Sequence, residues 1–215
     1  VDDQQAAPGG DAVTLSDGRA ARREQSRTRI VEAATALFAD NGFAATSVDD
    51  VAAAAGVSKG TVFYGFTSKD ALFVVVMEGV VERVVELMTQ ARSGLCGWSA
   101  LERQTMAVLE AVDRSAPVGR LLVTQLYGPS GPWDEGRGTS RARLLAPLID
   151  SLAEIRAERG VGAAQGEDTV AVALLGALVF AALDRLAYPQ RSLAEVHTRL
   201  LQVITGLRGA ASGED

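Results

Sequence analysis

The chain has 215 residues, 47% of them hydrophobic, enough for one helical domain with a smaller one appended and for a core that needs no disulfide. Its single cysteine, Cys96, excludes an intrachain disulfide and a cysteine-based zinc site. Its net charge of −6, taken over the whole chain, argues against a nucleic-acid partner.

The distribution of that charge changes the reading. Residues 19–75 hold seven basic and six acidic side chains and stand at +1, which leaves −7 for the rest of the chain. Both lysines, Lys59 and Lys69, fall inside this segment. Lone cysteines are most often small buried hydrophobes, the environment expected for Cys96. The cysteine usage fits a reducing cytoplasm, and the first eighteen residues have no apolar stretch of the secretory kind. The longest apolar run, 170–183, is shorter than the roughly 20 residues of a membrane span, so a buried helix and no membrane role are expected.

In chain order, residues 1–18 lack periodicity and read as a disordered tail. The basic stretch 19–29 is either a solvated helix start or an arm toward phosphates. A first helix is predicted over about 23–40, because Ile30, Ala33, Ala34, Leu37 and Phe38 share one helical face. Asn41-Gly42 ends it. A second helix starts at Thr46 or Ser47, with Asp49 or Asp50 three residues on, and turns Val48, Val51, Ala52 and Ala55 inward. Gly56 stops it, and Ser58 caps a short third helix that ends near Gly65. A fourth begins at Thr67-Ser68, with Asp70 at capping-box spacing from Thr67, and carries Leu72, Val76, Val80 and Val84 to about Ala91. Further helices are expected near 99–115, 117–127, 138–159, 166–188 and 192–207. The fold class is therefore all-α, with about nine helices.

Residues 46–69 are the informative unit. Two short helices joined through Gly56, with the small Ala52 where they cross, meet the steric requirement of a helix-turn-helix. Packed on the first helix, this pair leaves the polar side of the third outward, narrow enough for a major groove. Residues 19–67 then form a DNA-binding domain and 68–210 a second helical domain.

The run at 56–72, GVSKGTVFYGFTSKDAL, and the preceding run at 33–52, AATALFADNGFAATSVDDVA, resemble the signature of the TetR (tetracycline-repressor-like) family. The resemblance implies a cytoplasmic DNA-binding transcriptional regulator, most often a repressor, with no cofactor and no metal. It implies that Thr46 and Ser47 bond phosphates, that Ser58, Lys59, Gly60, Thr61, Phe63 and Tyr64 face bases or the adjoining backbone, and that Lys69 clamps a phosphate. Two positions depart from the pattern. Phe63 stands where the family usually has a tyrosine whose hydroxyl meets a phosphate, and Gly65 where a histidine, tyrosine or asparagine is usual.

The resemblance also implies a homodimer through the last two helices, on palindromic double-stranded DNA whose half-sites lie about one turn (~34 Å) apart. Gly176, Ala177, Ala181 and Ala182 are the small residues that would let backbones approach at that interface. The middle helices would enclose a small-molecule effector, with Trp98, Met106, Gln125, Tyr127, Trp133 and Phe180 as lining candidates. The scarcity of charge there points to a largely apolar ligand.

Two other classes compete. An enzyme would need a nucleophile and base, a metal cluster or a phosphate loop, and none is present. The only histidine, His197, beside Glu195 and Arg199, reads as a surface or dimer-interface residue. A helical interaction protein that has lost DNA binding is the alternative, resting on Phe63 and Gly65.

Overall fold

The computed structural model describes residues 11–126, 132, 134–160 and 167–210, with side chains described at 18–123, 132, 134–160 and 169–203. Regular structure among the described residues is α-helical throughout. In order the helices are α1 (Asp11–Ala45), α2 (Val48–Ala55), α3 (Lys59–Gly65), α4 (Lys69–Ala91), α5 (Gly97–Arg114), α6 (Ala116–Leu126), α7 (Asp134–Glu158), α8 (Glu167–Ala187) and α9 (Leu193–Ala210). The all-α, nine-helix expectation is met among these residues.

Two termini differ from expectation for physical reasons. Helix α1 begins at Asp11, well before the predicted start near 23. Its early turns need no apolar face of their own: once the segment around Ile30 is anchored, extending an existing helix avoids the nucleation cost. Helix α4 is capped by Ser68, whose hydroxyl accepts from the Ala71 N–H, and not by a Thr67–Asp70 box. The break at Gly42 is as predicted, with φ 81° and ψ 163° turning the chain inside the α1 span.

The N-terminal helices close around Ile30, Ala34 and Phe38 of α1, Val51, Ala52 and Ala55 of α2, and Val62 and Phe66 at α3. Phe73 of α4 packs edge-on against Phe38 and Phe43, with ring centroids 5.2 and 4.9 Å apart. Helix α4 continues the same buried face through Val76, Val80, Val84 and Met88, so one apolar core runs from the helix-turn-helix into the C-terminal bundle. There α5 lies between α4, α7 and α8. The window 169–187 of α8 is apolar and long enough to cross a membrane by composition, yet Ala171, Leu174, Leu175, Leu178, Val179 and Ala182 are buried in the bundle.

Two single residues overturn their expected environments. Cys96 is exposed at the N-cap of α5, because the Gly94–Leu95 turn lifts it off the core. His197 is buried, not superficial: Thr105 Oγ1 of α5 lies 2.9 Å from its Nε2 and ties α9 to the bundle centre. Between the two halves, Arg120 of α6 pairs with Asp40 near the end of the straight part of α1.

Candidate nucleic-acid interface

The turn between α2 and α3 is built from local rules. Ser47 caps α2, accepting from Asp50 N–H, while Asp50 Oδ2 accepts from the Ser47 backbone N–H at 2.9 Å. The Ser47 hydroxyl and its N–H together hold the Asp50 carboxyl below its ordinary pKa. Gly56 adopts the left-handed conformation (φ 63°, ψ 40°), which a Cβ would strain, and its N–H closes on Ala53 O. Ser58 then caps α3 by accepting from Thr61 N–H at 3.1 Å.

Those constraints fix which side of α3 faces out. Val62 and the following Phe66 are buried, whereas Phe63 and Tyr64 are 46% and 73% exposed. Ser58, Lys59 and Gly60 are also exposed, Thr61 is half-buried, and Ser47 stands exposed at the head of α2. Lys59 Nζ lies 2.8 Å from Asp49 Oδ2, a solvent-exposed pair with little energetic weight that a competing anion can replace.

Thr46 and Lys69 sit differently from the rest of the predicted set. Thr46 is buried, and its hydroxyl is within bonding distance of the Leu37 and Gly42 carbonyls, so its side chain braces the end of α1. Lys69 Nζ donates to the carbonyls of Phe43 (2.9 Å) and Thr46 (3.0 Å) and lies 4.2 Å from the Phe43 ring centroid. It ties α4 to the α1–α2 turn.

Two arginines outside the predicted set touch α3 directly. Arg27 donates through Nη1 to the Gly65 carbonyl at 3.1 Å and lies over the Phe66 ring, satisfying one of the last carbonyls of α3. Arg23 lies over the exposed Tyr64 ring, 5.6 Å from its centroid. The signal for both was the step back from Ile30 along the buried face of α1, three residues to Arg27 and four more to Arg23.

The effector-site candidates are not gathered in one place. Trp98 and Met106 are half-buried in α5. The side chains of Gln125, Tyr127 and Trp133 lie outside the described residues. Phe180 is 60% exposed and stands on the outer face of α8 with Val170, Ala173 and Ala177, so it does not line an interior pocket within this chain. Of the small residues on α8, Ala177 is exposed, Gly176 and Ala181 are half-buried, and Ala182 is fully buried against the chain's own core. An all-round apolar helix has no polar face to reveal which side is covered from within, which is why Ala182 and Phe180 exchanged places with expectation.

Sequence reasoning passed over a buried polar set in the bundle. Gln104 Nε2 donates to the carbonyl of Pro147, which sits inside α7, and Gln104 Oε1 accepts from the Ser151 hydroxyl at 2.8 Å. The next residue of α5, Thr105, makes the contact with His197. Burial lowers the His197 pKa, against the opposing pull of the Glu102 charge and carbonyl.

Residues 30–76 match the family described as bacterial regulatory proteins, tetR family. An HTH-type transcriptional repressor of Mycobacterium tuberculosis is 35% identical over 99 residues, 46% of this chain and 53% of that protein. The chain thus spans about half the length of the curated relatives it matches. Among solved structures, a TetR-like transcriptional regulator from Rhodococcus sp. RHA1 is 26% identical with a TM-score of 0.67, covering 88% of this chain and 97% of that one. The regulator FadR from Bacillus subtilis, solved in complex with stearoyl-CoA, shares the fold at 15% identity, with a TM-score of 0.67 over 83% of this chain and 98% of that one. Residues 30–76 thus carry the tetR-type helix-turn-helix match, and the nine described helices share the fold of TetR-like regulators.

Proposed function

We propose that this chain is a cytoplasmic, sequence-specific DNA-binding transcriptional repressor. It acts as a homodimer on palindromic duplex DNA and is released by a small, largely apolar effector. One observation carries the reading: Gly56 and Ser58 hold α3 so that Lys59, Gly60, Phe63 and Tyr64 all face solvent on one short helix. That shape fits a major groove, with Ser47 and the α2 head at the flanking backbone. Thr61 lies at the edge of the same face, while Thr46 and Lys69 serve it by fixing the turn behind it.

Residues 19–67 are the DNA-binding domain in this reading, and 68–210 bind effector and partner copy. The exposed row Val170, Ala173, Ala177 and Phe180 on α8, with Val203 on α9, supplies an apolar face for a second copy. The stearoyl-CoA in the B. subtilis relative carries a long apolar chain, which is the ligand class inferred for this bundle. Effector binding must favour a conformer whose two α3 helices are wrongly spaced for DNA.

Footprinting on the DNA upstream of the chain's own gene, at defined salt, tests the proposal. A protected palindrome is expected, with protection lost when effector is added. Phe63, exposed without a hydroxyl, and Gly65 favour a second reading, a helical interaction protein without DNA binding. Failure to select any duplex from random sequence would establish that reading over the first.

A further inference from the structure

Helix α1 extends past the body of the N-terminal domain on the side where α3 ends. Its buried face, Ile30 and Ala34, continues outward as Arg27, Arg23 and Arg19 at helical spacing. Arg27 is held to the Gly65 carbonyl, which fixes the direction in which the extension leaves. Arg19, Arg22 and Arg23 are exposed and pair with no carboxylate among the described residues. Glu24 is the one carboxylate among residues 19–29, against five arginines, in a chain of net charge −6.

We infer that Arg19, Arg22 and Arg23 on the extension of α1 form a second DNA-contacting surface, which seats on the phosphates flanking the groove that α3 enters. This rests on the DNA-binding reading above. The juxtaposition that assigns it is Arg23 over the exposed ring of Tyr64, so the outermost aromatic of α3 and the arginine row are contiguous. Between them Arg22, Arg23, Thr61, Tyr64 and Gly65 wall a groove of about 280 Å³. From Arg27 to Arg19 the helix advances about 12 Å, a length matched by roughly three phosphates of one strand. At Gly65 the wall between helix and arm is open space, since a Cβ there would meet nothing within 4 Å. The arginine row of α1 thereby offsets the polar groups that Phe63 and Gly65 do not supply to the DNA backbone.

The test compares the full-length wild type with R19Q/R22Q/R23Q by fluorescence anisotropy. The probes are a labelled duplex bearing the palindrome that wild type selects from random sequence, and a labelled duplex of unrelated sequence. At about 100 mM salt the triple variant should bind both roughly 10- to 100-fold more weakly. Its slope of log K against log salt should be shallower by about 0.9 for each phosphate that is no longer neutralised. The ratio of specific to non-specific affinity should hold, because phosphates carry no sequence information. R83Q/R103Q/R159Q, equal in charge change but placed on α4, on α5 and beyond α7, should shift affinity less than about twofold. Thermal melts of all variants exclude unfolding. An unchanged salt slope, with or without weaker binding, overturns this inference alone. Wild type that binds neither duplex overturns the DNA-binding reading itself, and the arm with it.

Discussion

The two halves of the chain place their polar side chains in opposite ways. In the helix-turn-helix they sit at helix ends, where Ser47, Ser58 and Ser68 each satisfy a backbone N–H and the buried Thr46 hydroxyl braces the end of α1, beside an otherwise apolar interior. In the C-terminal bundle Gln104, Thr105, Ser151 and His197 lie inside. A unit whose polar groups are spent on its own caps holds one shape and presents it. A bundle whose interior donors and acceptors satisfy one another has groups that a bound molecule can re-partner. The difference matches the proposed division into a reading head and a responsive domain.

Substitutions in the two halves should have distinct effects. Phe73→Ala should have the largest effect, about 3–5 kcal/mol of unfolding free energy, because it empties the packing with Phe38 and Phe43 that seats α4 on α1. Denaturant unfolding followed by circular dichroism reads it, and DNA affinity should fall in parallel. Gln104→Leu should cost about 1–3 kcal/mol, since it strips partners from Ser151 and Pro147 in the interior. Adding Ser151→Ala should recover part of that loss. If the double variant is as unstable as the two losses summed, the bundle's polar set is not acting as a unit.

Ser58→Ala should cost about 1 kcal/mol by removing the cap of α3, with a larger proportional loss in DNA binding than in melting temperature. A substitution there that lowers only the melting temperature would mean that α3 does not carry recognition. The smallest effect concerns His197. Its folded pKa lies below the ordinary value of about 6.5 chiefly through burial, so the unfolded chain takes the proton first as pH falls. The stabilisation it gives is complete above that ordinary value and is lost as pH drops through the folded one. Glu154, held low by the Gly97 N–H, loses its contribution only in the more acidic carboxylate range. Melting temperature should therefore decline on going from about pH 7 toward 5.5, and His197→Asn should flatten that decline.

What was legible in the sequence followed from short-range geometry. Ile30, Ala34 and Phe38 announced a buried face by spacing, and Gly42 and Gly56 marked positions where the backbone takes positive φ. Ser47, Ser58 and the end of α3 at Gly65 were readable because a cap and its N–H lie within three residues of one another. The rest depends on partners far along the chain. His197 sits among charged neighbours in sequence and becomes buried only because α5 brings Thr105 and the bundle interior against it. Lys69 has the charge of a phosphate clamp, and only the folded turn reveals that two carbonyls already hold its ammonium group. Phe180 and Ala182 lie on a helix apolar on every side, so no periodicity distinguishes outward from inward.

The pairing of Asp40 with Arg120 gives α1 a mechanical role. Between Arg19 and Asp40 the helix runs unbroken, since its first irregularity is Gly42. That stretch is a rigid rod of about 32 Å, fastened near one end to α6 and bearing its arginines at the other. A tilt of only about 5° at the α6 end sweeps the arginine end through roughly 3 Å, close to the advance from one phosphate to the next along a strand. In the proposed repressor, a small repacking of α6 would be geared up into about a full step of DNA register.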